Sequence, residues 1–203
     1  MKITYPFSLE AQIAVGFERL QTLYRSLLQQ QATELNLTAL QIQILSTLHT
    51  YPQGISINSL SHHLRLTHAT LSDAVSVLVR KKLVNKRLFP QDRRAVVLQL
   101  TPKGVQKSGA ASHWIQIISE SMSSMSLDQK SNLLRALLQI IDQLKSFGMI
   151  EVARMCIRCS HFRANVHPGS DAPHHCSFMD KPLRENNLKT DCPLFAEKIL
   201  GNS

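Results

Sequence analysis

The sequence predicts a mainly α protein of the α+β type, and three observations carry that reading. Apolar residues recur at three- and four-residue steps through most of the first 150 positions. Two β-rich runs, 84–89 and 95–100, interrupt the helices and are joined by a five-residue tip, which reads as a hairpin. All four cysteines fall beyond residue 155, in a stretch without helical periodicity.

Residues 8–34 read as a first helix, capped by Ser8, with Glu10 favouring its first turn. Its apolar face, from Leu9, Ile13 and Phe17 through Leu20, Leu23 and Tyr24 to Leu27 and Leu28, is wide enough to meet both its own domain and a second subunit. Thr38 and Gln41 form a capping box that opens a second helix. That helix buries Leu40, Ile44, Leu45 and Leu48, and Pro52-Gln53-Gly54 ends it. Ser56 caps a short helix with Leu60 and Leu64 inward, and Leu66-Thr67 then turns the chain into the segment 67–83. There Leu71, Ala74, Val75, Leu78 and Val79 share one face. His68, Thr70, Ser72, Asp73, Ser76 and Arg80 mostly fall off that stripe, and they supply the donors, acceptors and charge that read base edges. A short helix, a tight turn, a polar-faced second helix and a basic hairpin make a winged helix-turn-helix.

Thr101-Pro102 starts a further helix to about residue 122. Ser126 and Gln129 form a second capping box, opening a helix to about residue 147. Its Leu133, Leu134, Leu137, Leu138, Ile140, Ile141, Leu144 and Phe147 cover more than one face. One small winged-helix domain cannot bury that much, so a homodimer through the first helix and these last two is expected.

The formal net charge is +9, and nine Lys/Arg stand against two Asp/Glu between residues 38 and 104, with the rest near neutral. A basic excess confined to that unit is what phosphate neutralisation requires. The alternative is a solvated basic surface that aids solubility. No 18-residue apolar run could span a bilayer, and the opening residues lack the cationic stretch and apolar core of a secretory signal. A cytoplasmic protein with no membrane partner is therefore expected.

Cys156-Ile157-Arg158-Cys159 is a CxxC, Cys176 follows after sixteen residues, and Cys192-Pro193 after fifteen more. In a reducing cytosol, clustered cysteines bind metal more often than they form disulfides. The stretch 151–203 is expected to be loop-like, with four thiolates on a metal to order it. An iron–sulfur cluster is preferred, because such clusters take four cysteines at varied spacing and a Cys-Pro closes ferredoxin-type sets. Zn2+ is the alternative, although zinc ribbons usually carry two CxxC knuckles. Redox-active or incidental thiols are a third. His161, His167, His174 and His175 are alternative ligands, and His175 adjoins Cys176, where it would replace a thiolate or donate a hydrogen bond to one.

Leu37-Thr38-Ala39-Leu40-Gln41, Leu60-Ser61-His62-His63-Leu64 and the run from Leu78 to Val84 resemble the MarR family in order and spacing. So does Asp92-Arg93-Arg94, followed by Leu98-Gln99-Leu100-Thr101-Pro102-Lys103-Gly104, and the resemblance covers about residues 8–147. It implies a homodimeric regulator on a pseudo-palindromic operator of double-stranded DNA, with each recognition helix in the major groove and each wing at the flanking minor groove. On that footing His68, Ala69 and Thr70 contact bases, Ala69 against a thymine methyl. Ser72 and Ser76 meet bases or phosphates further along, and Asp73 is read equally as a contact or as orienting a neighbour. Arg94 or Arg93 enters the minor groove, with Asp92 holding it by an ion pair. Arg80, Lys81, Lys86 and Arg87 read as phosphate anchors or plain surface charge. Lys82 stands where the family usually has Gly before the Leu-Val step, so a different bend is expected there, since positive φ disfavours a side chain.

The expected organisation is a dimerisation helix over 1–37, a winged helix-turn-helix DNA-binding domain over 38–104, dimerisation helices over 105–150 and a cysteine-rich metal-binding extension over 151–203. The expected function is a transcription regulator, preferentially a repressor, whose DNA affinity follows the state of the cysteine-bound centre. One alternative is a repressor relieved by a small-molecule effector, phenolic or lipophilic, with the tail as a zinc clip. Another is a redox or electron-transfer protein using the tail. No Ser/His/Asp arrangement, glycine-rich phosphate loop or paired carboxylates stand in the sequence, so no enzyme is expected.

Overall fold

The computed structural model describes residues 8–89, 92–111 and 113–198, without the side chains of 89, 92–95, 110, 111 and 113. The chain forms two compact units, Met1–Glu120 and Ser121–Ser203.

In the first unit, α1 (Leu9–Leu35) starts where the Ser8 hydroxyl accepts from the amide of Ala11. Helix α2 (Ala39–Thr50) opens on a complete capping box: Thr38 Oγ1 accepts from Gln41 N, and Gln41 Oε1 accepts from Thr38 N, both at 3.2 Å. Ser56 caps α3 (Ile57–Leu64), and Thr67 caps α4 (His68–Arg80). A core of Ile42, Ile44, Leu45, Leu48, Leu60, Leu71, Val75, Leu78, Leu83 and Leu98 gathers these helices against the sheet. Each such aliphatic side chain contributes about 2 kcal/mol on leaving water.

The wing consists of β2 (Val84–Phe89) and β3 (Asp92–Leu100), with β1 (Ile55–Ser56) on the far side of β3 in the order β1-β3-β2. The expected five-residue tip is corrected, because the second strand begins at Asp92 and not at residue 95. Pairing runs from Val84 opposite Leu100 to Leu88 opposite Val96, then shifts so that Phe89 faces Asp92. Main-chain pairing thus continues past the point where the apolar alternation stops, and a bulge absorbs the mismatch. Pro90 and Gln91 lie outside the described residues.

The step from recognition helix to wing depends on two backbone devices. Lys82 sits at φ 58, in the left-handed region, so the bend that a glycine would make is kept despite the side chain. Two bonds hold it: Leu83 N donates to Leu78 O and Lys82 N to Val79 O, both at 2.9 Å, which is a Schellman ending. Thr101 then locks the junction, its hydroxyl donating to Lys82 O at 2.8 Å and accepting from Gly104 N at 2.9 Å. A Cβ at position 104 would lie 2.0 Å from the carbonyl oxygen of Leu83, so only glycine permits this approach. The stretch expected as a helix from residue 101 to about 122 is helical over α5 (Pro102–Ala111) and α6 (His113–Ser121), and Ser112 between them lies outside the described residues.

In the second unit, α7 (Leu127–Ser146) opens on the Ser126–Gln129 capping box. The tail expected to be loop-like carries a small antiparallel sheet: β4 (Phe162–Arg163), β5 (His174–Cys176) and β6 (Lys181–Leu183), in that order. Two one-turn 3-10 helices, Cys156–Arg158 and Glu185–Asn187, flank it. Strands of two or three residues leave no periodicity to read, and Pro182 is tolerated because β6 is an edge. Ala153, Met155, Leu183 and Leu188 from the tail and Leu138 from α7 form a second apolar core. No helix among the described residues is long and apolar enough to cross a membrane.

Candidate DNA interface and cysteine centre

Helix α4 divides cleanly into two faces. Leu71, Val75 and Leu78 are fully buried, which fixes the helix against its unit. His68, Ala69, Thr70, Asp73, Ser76 and Arg80 are exposed and Ser72 is half-buried, so the polar set lies on the open side. At the first turn, Thr67 Oγ1 accepts from Thr70 N at 3.2 Å and shares a hydroxyl contact of 2.9 Å with Thr70 Oγ1. Ser76 donates to Ser72 O at 2.8 Å, which leaves its hydroxyl oxygen outward as an acceptor.

On the wing, Asp92, Arg93 and Arg94 belong to β3 by their backbone, while their side chains lie outside the described residues. Lys86 and Arg87 are exposed on β2. Lys81 has a different post from the one its charge suggests: its Nζ donates to Asn36 O at 2.6 Å. Lys107 Nζ does the same to Leu35 O at 2.7 Å. Both ammoniums sit on the last carbonyls of α1, where a helix end carries partial negative charge.

In the second unit, Cys156, Cys159, Cys176 and Cys192 line one cavity of about 30 Å³, together with His161, Phe162 and Phe178. All four thiols are free of disulfides. The main chain assembles the set. Cys159 N donates to Cys156 O at 2.9 Å to turn the knuckle, Cys192 N donates to Arg154 O at 2.8 Å, and Cys159 is bridged to Glu197. Lys189 N points at Cys156 Sγ at 3.2 Å. Burial pushes the Cys156 thiol up from its usual range against that amide, and the other three thiols push the same way. Among the described residues, no group of three or more His, Cys, Asp or Glu side chains is arranged to grip a single ion.

The histidines separate by strand geometry. Because neighbours on a strand face opposite ways, His175 turns away from Cys176. Its ring nitrogens meet His167 Nε2 and Asp180 Oδ1, each at 3.2 Å. His174 is buried, accepting from Asn165 N at Nδ1 and lying 3.2 Å from Glu185 Oε1 at Nε2. His161 is the imidazole on the cysteine cavity, packed 5.3 Å from the Phe178 ring. Sequence adjacency favoured His175, and only the turn after Cys159 brings His161 there.

Residues 35–95 match the model of the MarR family. Among solved structures, a MepR mutant from a multidrug-resistant S. aureus clinical isolate is 22% identical, with 69% of this chain and 99% of that one covered at a TM-score of 0.56. The S. aureus MepR–DNA complex is likewise 22% identical, with 68% and 99% covered at 0.56. The reduced form of E. coli MarR is 22% identical, with 67% and 98% covered at 0.50. At this identity the likeness is one of fold, a helix-rich winged helix. The family match ends before the first cysteine, and no curated protein matches the chain.

Proposed function

We propose that this chain is a MarR-type transcription regulator, preferentially a repressor, that binds double-stranded DNA as a homodimer and whose affinity is set by a cysteine-ligated metal centre. The observation that carries the DNA-binding part is α4, with its apolar face spent on the core and its polar first turn open. The match of residues 35–95 to the MarR family supports the same reading, as does a basic excess confined to that segment. The homodimer is supported by Leu9, Ile13, Phe17, Leu20 and Leu23, all exposed along α1, and by Leu133, Ile140 and Leu144 on α7 with Phe147 at its C-cap. Control by the centre is supported by the apolar core that ties the tail to α7, so that a change among the cysteines acts on a helix of the expected dimer. The test is operator retention by the chain and by the double variant Arg93→Glu, Arg94→Glu across ionic strength. The variant is expected to bind at least tenfold more weakly with a shallower salt slope; unchanged curves would refute the reading.

A specific observation favours a second input. Tyr24 and Trp114 meet edge to face at 4.9 Å beside a cleft of about 360 Å³, also lined by Gln43, Thr47 and His49. An aromatic wall with a few polar groups suits a phenolic or lipophilic effector. In that reading the tail is a stabilising clip, and such a ligand would weaken DNA binding with the cysteines untouched.

A further inference from the structure

We infer that the four cysteines hold a polynuclear iron–sulfur cluster and not a single zinc ion, an inference that rests on the metal centre proposed above and names its occupant. Three separate segments bring the ligands together: the knuckle with Cys156 and Cys159, strand β5 with Cys176, and the returning chain with Cys192. They surround a space, not a point. Four thiolates on zinc stand about 2.3 Å from one ion, which draws the sulfurs into contact around it. Here the four cysteines line one cavity of about 30 Å³, and among the described residues no three of them close on a single ion's position.

The walls agree with that occupant. Phe162, Phe178, Met179, Leu183 and Leu194 make most of the wall apolar, His161, Asn187 and Lys189 complete it, and among the described residues no carboxylate lines the space. Without a carboxylate the site suits hard oxygen-seeking cations poorly, while its four soft thiolates select zinc or iron–sulfur chemistry. The amide of Lys189 aimed at Cys156 Sγ is the kind of donor that neutralises a cluster thiolate and tunes its potential. The segments that carry the ligands have strands of two or three residues and an apolar core shared with α7, so a group bonded to all three segments supplies order that their own packing lacks.

The test uses the full chain, reconstituted without oxygen with ferrous iron, sulfide and an equal amount of Zn2+, then desalted. Iron, acid-labile sulfide and zinc are measured together with visible absorption. Expected are iron and sulfide in equal amounts with charge-transfer bands, at least a tenfold loss of both in Cys176→Ser, and retention in His161→Ala. Protection of all four thiols from alkylation in the loaded wild-type chain reads the same ligand set without any variant. One zinc per chain with no sulfide overturns the inference, and so does loss of iron in His161→Ala with retention in Cys176→Ser. A loaded chain that ignores every duplex would count against the regulator reading and leave the cluster standing.

Discussion

Arg158, the third residue of the cysteine knuckle, reaches across to α7 and donates through Nε to the Asp142 carboxylate. Its Nη2 also donates to Asp142 O at 3.1 Å and Ser146 Oγ at 2.6 Å. Both charged side chains keep a quarter to a third of their surface in water, so screening trims the pair. Arg158→Ala is expected to lower the stability of the second unit by about 1 kcal/mol. Urea denaturation, with Asp142→Ala and the double variant, checks it: the two single losses should sum to more than the double. If the centre acts through α7, the ratio of DNA affinities with and without it should also shrink in Arg158→Ala.

Gly104→Ala is expected to cost about 3 kcal/mol. The added carbon would meet the Leu83 carbonyl, a backbone group, and the Thr101 cap would be pushed off with it. Thermal melting of the DNA-binding unit within the full chain reads the loss.

Lys82→Gly should act in the opposite direction. A side chain at φ 58 is strained, and glycine relieves that strain while adding freedom to the unfolded chain. A net gain of about 0.5 kcal/mol is expected. The midpoint in urea should rise at an unchanged slope.

The first turn of α4 should separate specificity from affinity. Thr70→Val leaves the cap intact, because Thr67 Oγ1 accepts from the main-chain amide of residue 70. On the proposed function, loss of the hydroxyl should weaken binding to the cognate operator about tenfold and leave binding to random duplex unchanged. Titrations of both duplexes at one salt concentration decide it.

Phe17→Glu and Leu20→Glu place charge on the open apolar face of α1, away from the buried Leu28 and Ala32. On the dimer reading each shifts the chain to monomer at micromolar concentration, and light scattering coupled to gel filtration would show the halved mass. Secondary structure by circular dichroism should not change.

Helix starts were legible in the sequence because capping is local chemistry. Ser8, Thr38, Ser56 and Ser126, each expected as a cap, accept from an amide three residues on, and so does Thr67, expected only to turn the chain into α4. The bend at Lys82 was not legible, since the residue is held at positive φ by the Schellman bonds and by the hydroxyl of Thr101, 19 residues further along the chain. The tail sheet escaped for a different reason: Phe162, Cys176 and Lys181 are brought side by side by ladders of two or three pairs, too short to leave a pattern. Convergence of the four cysteines was expected from their number and spacing. That His161 and not His175 borders them needed the pleat of β5.

The returning chain, residues 189–198, is stitched onto the knuckle by main-chain bonds from Cys156 N to Lys189 O, Ser160 N to Ala196 O and Lys198 N to Arg158 O. Such a seam is placed like the flap of an envelope, and because Cys192 lies within it, lifting it would carry one thiol away from the other three. Delivery and withdrawal of whatever the pouch carries would then proceed at the pace of a local opening, orders of magnitude faster than global unfolding.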